Sequence, residues 1–171
     1  LASLNIARGL SYIFSGGSSV SGLTEMYSVI GAGRLIKTAD KPTGWLPIIT
    51  IIVTVVVVIM HILLSKTVFG RHVYATGSNI SVAHLSGVNT DRITFSAHVL
   101  CSTMAALGGV LNSSKLQNGQ PGAMEGYEMF AIAATVLGGT SLTGGSGSVA
   151  RAMIGCAVIA VINNGMNLLH I

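Results

Sequence analysis

The residues that come closest to a known chemical motif lie at positions 139–146, which read Gly139-Thr-Ser-Leu-Thr-Gly144-Gly145-Ser146. This order approaches the phosphate loop G-x-x-x-x-G-K-[ST], whose backbone N–H groups and lysine bind the phosphates of a nucleotide. Gly145 stands where the lysine must be, so bound phosphates would lack their cation. We therefore expect that this chain does not bind ATP, and that any ATP hydrolysis belongs to a separate subunit.

The remaining reactive side chains do not form a recognisable site. Neither cysteine belongs to a CxxC or Cys/His spacing, and the histidines show no H-E-x-x-H arrangement, so we expect no metal site and no disulfide. Cys101 and Cys156 lie in apolar stretches and are interpreted as small buried side chains with free thiols. Without a paired-carboxylate or nucleophile–base pattern, the sequence predicts no enzyme active site and no cofactor.

Two amides near the end of the chain could bind a polar solute. Asn163 and Asn167 are four residues apart, so they share one face of a helix. Amide groups donate and accept hydrogen bonds, which suits a solute rich in hydroxyls. Hydrogen bonding between helices, or a position at the membrane interface, is an equally simple reading of these residues, and the sequence leaves it open.

The composition identifies lipid as the solvent of this chain. Half of the 171 residues are apolar and 8% are charged, whereas a soluble domain carries about 25% charged residues. The net charge of +4 comes from scattered residues without an aromatic platform, which argues against nucleic-acid binding. We predict an all-α membrane protein, a polytopic bundle of transmembrane helices that forms one domain over residues 1–171.

Uncharged apolar stretches predict where the helices lie. Residues 45–64 would span roughly 30 Å, the hydrocarbon thickness, with Trp45 at the interface. Residues 93–112 and 148–169 form two further predicted spans, and residues 1–14 are interpreted as the end of a helix. Small residues recur every four positions in two of these spans, which favours close helix packing; they are Ala97, Cys101, Ala105 and Gly109, and Ala152, Cys156, Ala160 and Asn164.

A short apolar segment with a glycine-rich end predicts a broken helix. Residues 126–137 would reach only about 18 Å as a helix, too little to cross a bilayer. Residues 138–147, the glycine turn, then interrupt it. Irregular backbone at membrane depth is tolerated only where protein or a water-filled cavity covers it, and transporters place such breaks beside their pathway. Whether this half-helix is re-entrant or a broken crossing stays open.

Loop charges and chain ends give weaker indications. The loop at residues 65–92 carries three basic residues and the loop at 113–128 carries one, with Glu125 and Glu128. The positive-inside rule places the first loop in the cytoplasm, but residues 15–44 are equally basic and contradict this orientation. Both chain ends stop abruptly within apolar sequence, so we expect a fragment of a longer protein.

Three motifs in order give a specific resemblance. Gly70-Arg71, Ala75, Gly77 and Asn79, followed by Leu85-Ser86-Gly87, are similar to the G-R-x-x-x-A-x-G-x-N and L-S-G-I pattern of the ribose-type (branched) permease family of bacterial ABC importers. Residues 126–147 resemble the family's second signature. Residues 163–169 resemble its N-N-G-L-N-L-L ending. The resemblance covers the chain from about residue 8 onward.

The resemblance implies a permease subunit that carries a sugar or sugar-like solute across the bacterial inner membrane. It implies a second permease subunit, identical or not, two cytoplasmic ATPase subunits and a periplasmic sugar-binding protein. The family loop often has a Glu-Ala-Ala-like run where this chain has Ile80-Ser81-Val82, which puts any salt bridge from that Glu in doubt. An ion-coupled secondary carrier or channel is the alternative, and a membrane-embedded scaffold is a third possibility.

Two sets of candidate site residues follow. Asn79 can cap a helix, Gly87 can end it, and Val82, Leu85 and Val88 would form an apolar stripe between and beyond them. The predicted coupling residues, which would contact the ATPase, are Asn79, Val82, Leu85, Ser86, Gly87 and Val88. The predicted residues of the half-helix and the pathway are Tyr127, Glu128, Gly138, Gly139, Gly144, Gly145, Asn163 and Asn167.

Overall fold

The computed structural model describes residues 2–22, 27, 30, 31, 33 and 47–169. Within these residues the chain is mostly helical, with one pair of two-residue strands. The elements are α1 Ala2–Ser15, β1 Val20–Ser21, α2 Ile48–Lys66, α3 Val68–Ser78, α4 Ile80–Leu85, α5 Thr90–Leu116, β2 Asn118–Gly119, α6 Tyr127–Leu137 and α7 Val149–Leu168.

Three of the described helices, α2, α5 and α7, are long and apolar enough to cross a membrane. Helix α2 has 19 residues and is about 28 Å long. None of its side chains is buried by the described chain, so water would face a continuous apolar surface that lipid can cover. Helix α5 starts earlier and ends later than predicted. The predicted interfacial Trp45 lies outside the described residues.

Helix α6 is the predicted half-helix. Its 11 residues reach about 16 Å, roughly half the hydrocarbon thickness. Gly126 precedes it with φ +80° and Gly138 ends it. The all-α membrane fold with a short, interrupted helix is therefore confirmed, because the apolar run is broken by glycines that continue into the turn.

Helices α3 and α4 are separated by one residue, Asn79. The Asn79 N–H donates to the Ala75 carbonyl at 3.1 Å and closes α3. The Asn79 side chain accepts from the Val82 N–H at 3.1 Å and starts α4. Gly87, with φ +83°, ends α4 through a bond from the Val88 N–H to the Ala83 carbonyl, the pattern of a Schellman cap. The predicted cap residues therefore have their expected geometry.

The chain divides into two compact units, Leu1–Val55 with Ser102–Glu125 and Val56–Cys101 with Gly126–Ile171. In the first unit, Arg8 of α1 forms an ion pair with Glu125 at 2.9 Å. Strands β1 and β2 pair antiparallel, Val20 with Gly119 and Ser21 with Asn118. The sequence did not predict this pair, because two residues carry too little pattern. The candidate site residues all belong to the second unit.

The predicted burial of the two cysteines is wrong, since both Cys101 and Cys156 are exposed in the described chain. The cause is that apolar sequence surroundings in a membrane helix do not guarantee cover by the same chain. Gly109, from the predicted small-residue face of α5, likewise has no atom within 4 Å of where a side chain would start. Of this predicted face, Cys101, Ala105 and Gly109 are exposed in the described chain, and Ala97 is half-buried.

Candidate functional site

Helices α6 and α7 form an antiparallel hairpin, named here the α6–α7 hairpin, held by glycines at its closed end. A methyl group on Gly155 would overlap the Ala134 carbonyl oxygen and lie 2.8 Å from the Gly138 nitrogen. A methyl group on Gly138 would lie 2.8 Å from the Ala152 Cα. Ala134, Gly138 and Gly155 are all buried. Backbone therefore packs against backbone, which small residues allow in membrane helices.

A groove of about 580 Å³ opens along this hairpin. Its polar lining comes from Tyr127 at the start of α6 and from Asn163 and Asn167 near the end of α7. Phe130 and Cys156 are among its apolar neighbours, and the Tyr127 and Phe130 rings meet edge to face at 5.9 Å. We call this cavity the asparagine groove. It brings together three of the predicted pathway residues at the end of the hairpin away from the glycine turn.

Glu128, the fourth side chain of the predicted pathway set, is exposed and does not belong to the residues that line the groove. It follows Tyr127 directly on α6, so its side chain lies about 100° around the helix from that of Tyr127. The described geometry therefore separates Glu128 from the asparagine groove.

The glycine turn uses its own hydrogen-bonding groups. The Ser141 N–H donates to the Ser146 carbonyl at 3.0 Å, and the Gly144 N–H donates to the Ser141 carbonyl at 3.2 Å. The Ser141 and Thr143 hydroxyls are 2.8 Å apart. A phosphate-binding loop needs inward-pointing N–H groups that are free for the anion, and these bonds occupy two of them.

The glycine turn also packs on the C-terminal end of α3. A methyl group on Gly77 would lie 2.8 Å from the Gly145 nitrogen, and one on Gly144 would lie 2.6 Å from the Gly77 oxygen. One on Gly145 would lie 2.7 Å from the Ser78 Cα. One turn earlier on α3, the Tyr74 hydroxyl donates to the Gly147 carbonyl at 3.2 Å.

Gly139, one of the predicted half-helix and pathway residues, does not take part in this packing. A side chain there would meet no atom within 4 Å. Its φ of +80° instead explains the glycine, because this left-handed conformation is strained for other residues. The neighbouring Gly138, in contrast, packs against α7.

Helix α4 exposes its predicted apolar stripe only in part. Val82 is 57% exposed and Leu85 is 86% exposed. Val88 lies beyond the Gly87 cap and is half-buried. Ile80, at the helix start, is 63% exposed and was missed, because it lies off the stripe that the sequence spacing defines. On the other face of α4, Ala83 is buried.

Gly155 and Tyr74 are the principal residues that sequence reasoning missed. The predicted stripe on α7 does contact the end of α6, where Ala152 lies opposite Gly138, and Gly155 makes a further backbone contact with Ala134 beside that stripe. Gly155 is the smallest residue on that face, and this was the available signal. Tyr74 gave no such signal, because its partner is a backbone carbonyl 73 residues away.

The chain is similar to known permease proteins. The family described as branched-chain amino acid transport system / permease component matches residues 2–171. The ribose import permease protein RbsC of Bacillus subtilis is 38% identical over 173 residues, covering 100% of this chain and 51% of the relative. No solved structure matches.

Two further sugar permeases are also similar to this chain. The L-arabinose transport system permease protein AraH of Escherichia coli is 36% identical over 171 residues, covering 100% of this chain and 50% of the relative. The xylose transport system permease protein XylH of Haemophilus influenzae is 40% identical over 146 residues, covering 85% and 38% respectively. The chain spans about half the length of the first two relatives.

These matches agree with the three sequence motifs and with the helical architecture. The relatives are named as permease proteins for ribose, arabinose and xylose, the ribose-type group that the motifs indicate. With three helices able to cross a membrane in the part of the chain that the structure describes, the chain is part of a multi-pass membrane protein. It belongs to the branched-chain transport system permease family, in its ribose-type branch of ABC importer permeases.

Proposed function

We propose that the whole protein is the permease subunit of an ATP-binding-cassette importer that moves a sugar or sugar-like solute across the bacterial inner membrane. The observation that carries this proposal is the family match over residues 2–171, together with relatives named for ribose, arabinose and xylose. These three pentoses are the first candidates for the solute.

The asparagine groove is the proposed contribution of this chain to the solute pathway. Asn163 and Asn167 offer amide donors and acceptors, and Tyr127 adds a hydroxyl. A sugar hydroxyl can replace its bonds to water with bonds to such groups, while Phe130 and neighbouring apolar side chains limit the polarity of the wall. Weak, replaceable hydrogen bonds suit a pathway from which the solute must also leave.

ATP hydrolysis is assigned to separate subunits. The glycine turn lacks the phosphate-loop lysine, and its Ser141 and Gly144 N–H groups already have carbonyl partners. Gly145 packs against Ser78, so a nucleotide would have to displace helix α3 in order to reach this backbone. The chain therefore acts as a pathway component that depends on an ATPase partner.

Helix α4 is the proposed docking element for the cytoplasmic ATPase. Val82 and Leu85 are exposed apolar side chains on a short helix that is capped at both ends. A helix with such a stripe fits an apolar groove on a partner. The remaining proposed partners are a second permease subunit and a periplasmic sugar-binding protein. An ion-coupled carrier is less favoured, since α2 and α7 contain no Asp or Glu.

Uptake in living cells tests this proposal. A strain lacking the full-length gene is compared with a complemented strain for uptake of labelled ribose, arabinose and xylose. We expect complementation to restore uptake of at least one of these sugars. Equal uptake by both strains for all three sugars, with the protein present in the membrane, would refute the sugar-import function.

A further inference from the structure

The contact between the end of α3 and the glycine turn has no room for side chains. Methyl groups on Gly77, Gly144 and Gly145 would each lie within 2.8 Å of backbone atoms across the contact. Real Cβ atoms are not found this close to backbone, so the two segments could not keep this distance with any other residues there. We call Gly77, Gly144 and Gly145 the glycine joint.

Helix α4 is attached to this joint without a linker. Gly145 packs on Ser78, which is the last residue of α3. The next residue, Asn79, closes α3 with its N–H and starts α4 with its side chain. A displacement of α4 must therefore either break these two bonds or move the end of α3.

The other side of the joint is attached to the α6–α7 hairpin. The glycine turn leaves α6 at Gly138 and enters α7 at Ser148, whose hydroxyl caps the helix. Gly155 and Gly138 hold the two helices together within the first turns after the joint. The asparagine groove begins at Tyr127, about 16 Å along α6 from the turn. When the glycine turn moves, the α6–α7 hairpin and the asparagine groove on it must therefore move as well.

Close-packed backbone passes on displacement because it cannot be compressed, whereas flexible side chains can absorb it. We propose that the glycine joint is the positioning element that transmits movement of α4 to the α6–α7 hairpin. This inference rests on the proposed function, in which α4 contacts the ATPase. The Tyr74 hydroxyl, bonded to the Gly147 carbonyl at 3.2 Å, is a second point of the same contact.

Alanine substitution at the joint tests the inference in the full-length permease, reconstituted in liposomes with its ATPase and binding-protein subunits. Gly77→Ala is suitable because alanine favours a helix more than glycine does, so any loss comes from the contact. Gly108→Ala in α5 is its control, since a methyl group there meets no atom within 4 Å. Gly144→Ala is paired with Gly22→Ala, because both glycines have φ +90° and only Gly144 is crowded.

The measured quantity is labelled sugar taken up per ATP hydrolysed, at equal amounts of assembled complex. We expect Gly77→Ala and Gly144→Ala to keep the ATPase bound and hydrolysing while this ratio falls roughly tenfold, a typical size for coupling between sites. The two controls should keep the wild-type ratio. A merely structural role would lower the amount of complex and leave the ratio unchanged.

Wild-type coupling in Gly77→Ala would overturn the inference. If neither alanine variant assembles, Tyr74→Phe decides, because it removes one hydrogen bond and adds no volume. A severalfold fall in the ratio for Tyr74→Phe supports the joint, and an unchanged ratio contradicts it. Failure of the proposed function would look different, since the wild-type protein itself would then bind no ATPase or move no sugar.

Discussion

Two threonines of the second unit, Thr67 and Thr76, differ in whether their hydroxyl groups form hydrogen bonds. The effect of this difference on protein stability can be measured. The Thr67 hydroxyl accepts from the Gly70 N–H and donates to the Leu63 carbonyl, so it caps α3. Thr76 is buried, with 7% of its surface exposed, and its hydroxyl oxygen has no hydrogen-bond partner in the described part of the chain. We therefore expect the Thr67 hydroxyl to stabilise the protein and the unpaired Thr76 hydroxyl to destabilise it.

Replacing Thr76 by valine, which has the same shape, should therefore cost little. We expect Thr76→Val to leave the free energy of unfolding unchanged or to raise it by about 1 kcal/mol, because no hydrogen bond is lost and an unpaired buried hydroxyl is removed. Thr67→Val is the matched control and should cost about 1 kcal/mol or more through the lost cap. Thermal unfolding of both variants of the purified full-length protein gives the comparison. An equal loss in both would mean that Thr76 has a partner.

Asn163 and Asn167 are expected to face an aqueous path. Single cysteines at these positions, in a background without Cys101 and Cys156, should react with a water-soluble thiol reagent, and the transported sugar should slow this reaction. Val161→Cys is the control, since Val161 is 72% exposed and lies on a different face of α7 from the groove. Labelling of Asn163→Cys and Asn167→Cys only by lipid-phase reagents would exclude a role in the pathway.

At the scale of elements, the α6–α7 hairpin depends on the close backbone contact between Gly155 of α7 and Ala134 of α6. Gly155→Ala should destabilise the protein by about 1–3 kcal/mol, because the methyl group forces α6 and α7 apart. Gly165→Ala on the same helix should be neutral or stabilising, since a methyl group there meets no atom within 4 Å. Unfolding in denaturant measures both. Equal stability of the two variants would show that Gly155 is not the contact point.

Helix α4 provides the second test at this scale. Leu85→Asp should abolish co-purification of the ATPase, because a charge replaces an apolar side chain that is 86% exposed and would be buried by the partner. Leu142→Asp is the matched control, as Leu142 is 77% exposed but lies in the glycine turn outside α4. Retention of the ATPase by Leu85→Asp would show that α4 is not the docking element.

The elements that the sequence predicted are those with local causes. Asn79 and Gly87 are cap residues, and their geometry follows from hydrogen bonds to residues three to five positions away. The half-helix α6 ends because Gly138 and Gly139 follow an apolar run. In these cases the residues that form the sequence pattern lie within one or two helical turns of the residues whose structure they determine.

The parts that the sequence did not predict are non-local. The β1–β2 pair joins residues almost a hundred positions apart. The contact between Gly77 and Gly145 was also not predicted, because a glycine in either segment is explained equally well by a local turn. The sequence did not predict the Gly155 contact. A repeat of small residues every four positions identifies a helix face, but the position at which α6 and α7 come closest depends on the angle at which the two helices cross. Pairing of distant segments requires the structure.

At the scale of the molecule, the described chain has three helices that are long and apolar enough to cross a membrane, and one of them, α7, forms a hairpin with the short helix α6. Helices α2, α5 and α7 have the length and composition to cross a membrane, whereas α6 is only about 16 Å long. The hairpin carries polar side chains at one end and close-packed glycines at the other. In the proposed function, the polar end of this hairpin contributes to the solute pathway and helix α4 contacts the ATPase.

The central claim is that ATP hydrolysis on a partner drives sugar through a pathway to which this chain contributes. The most direct measurement is uptake of labelled pentose by liposomes that contain the full-length permease, its ATPase and its binding protein. We expect uptake only with ATP, and none when the phosphate-loop lysine of the ATPase is replaced. Uptake that persists without ATP and follows an imposed ion gradient would contradict the account and would favour an ion-coupled carrier.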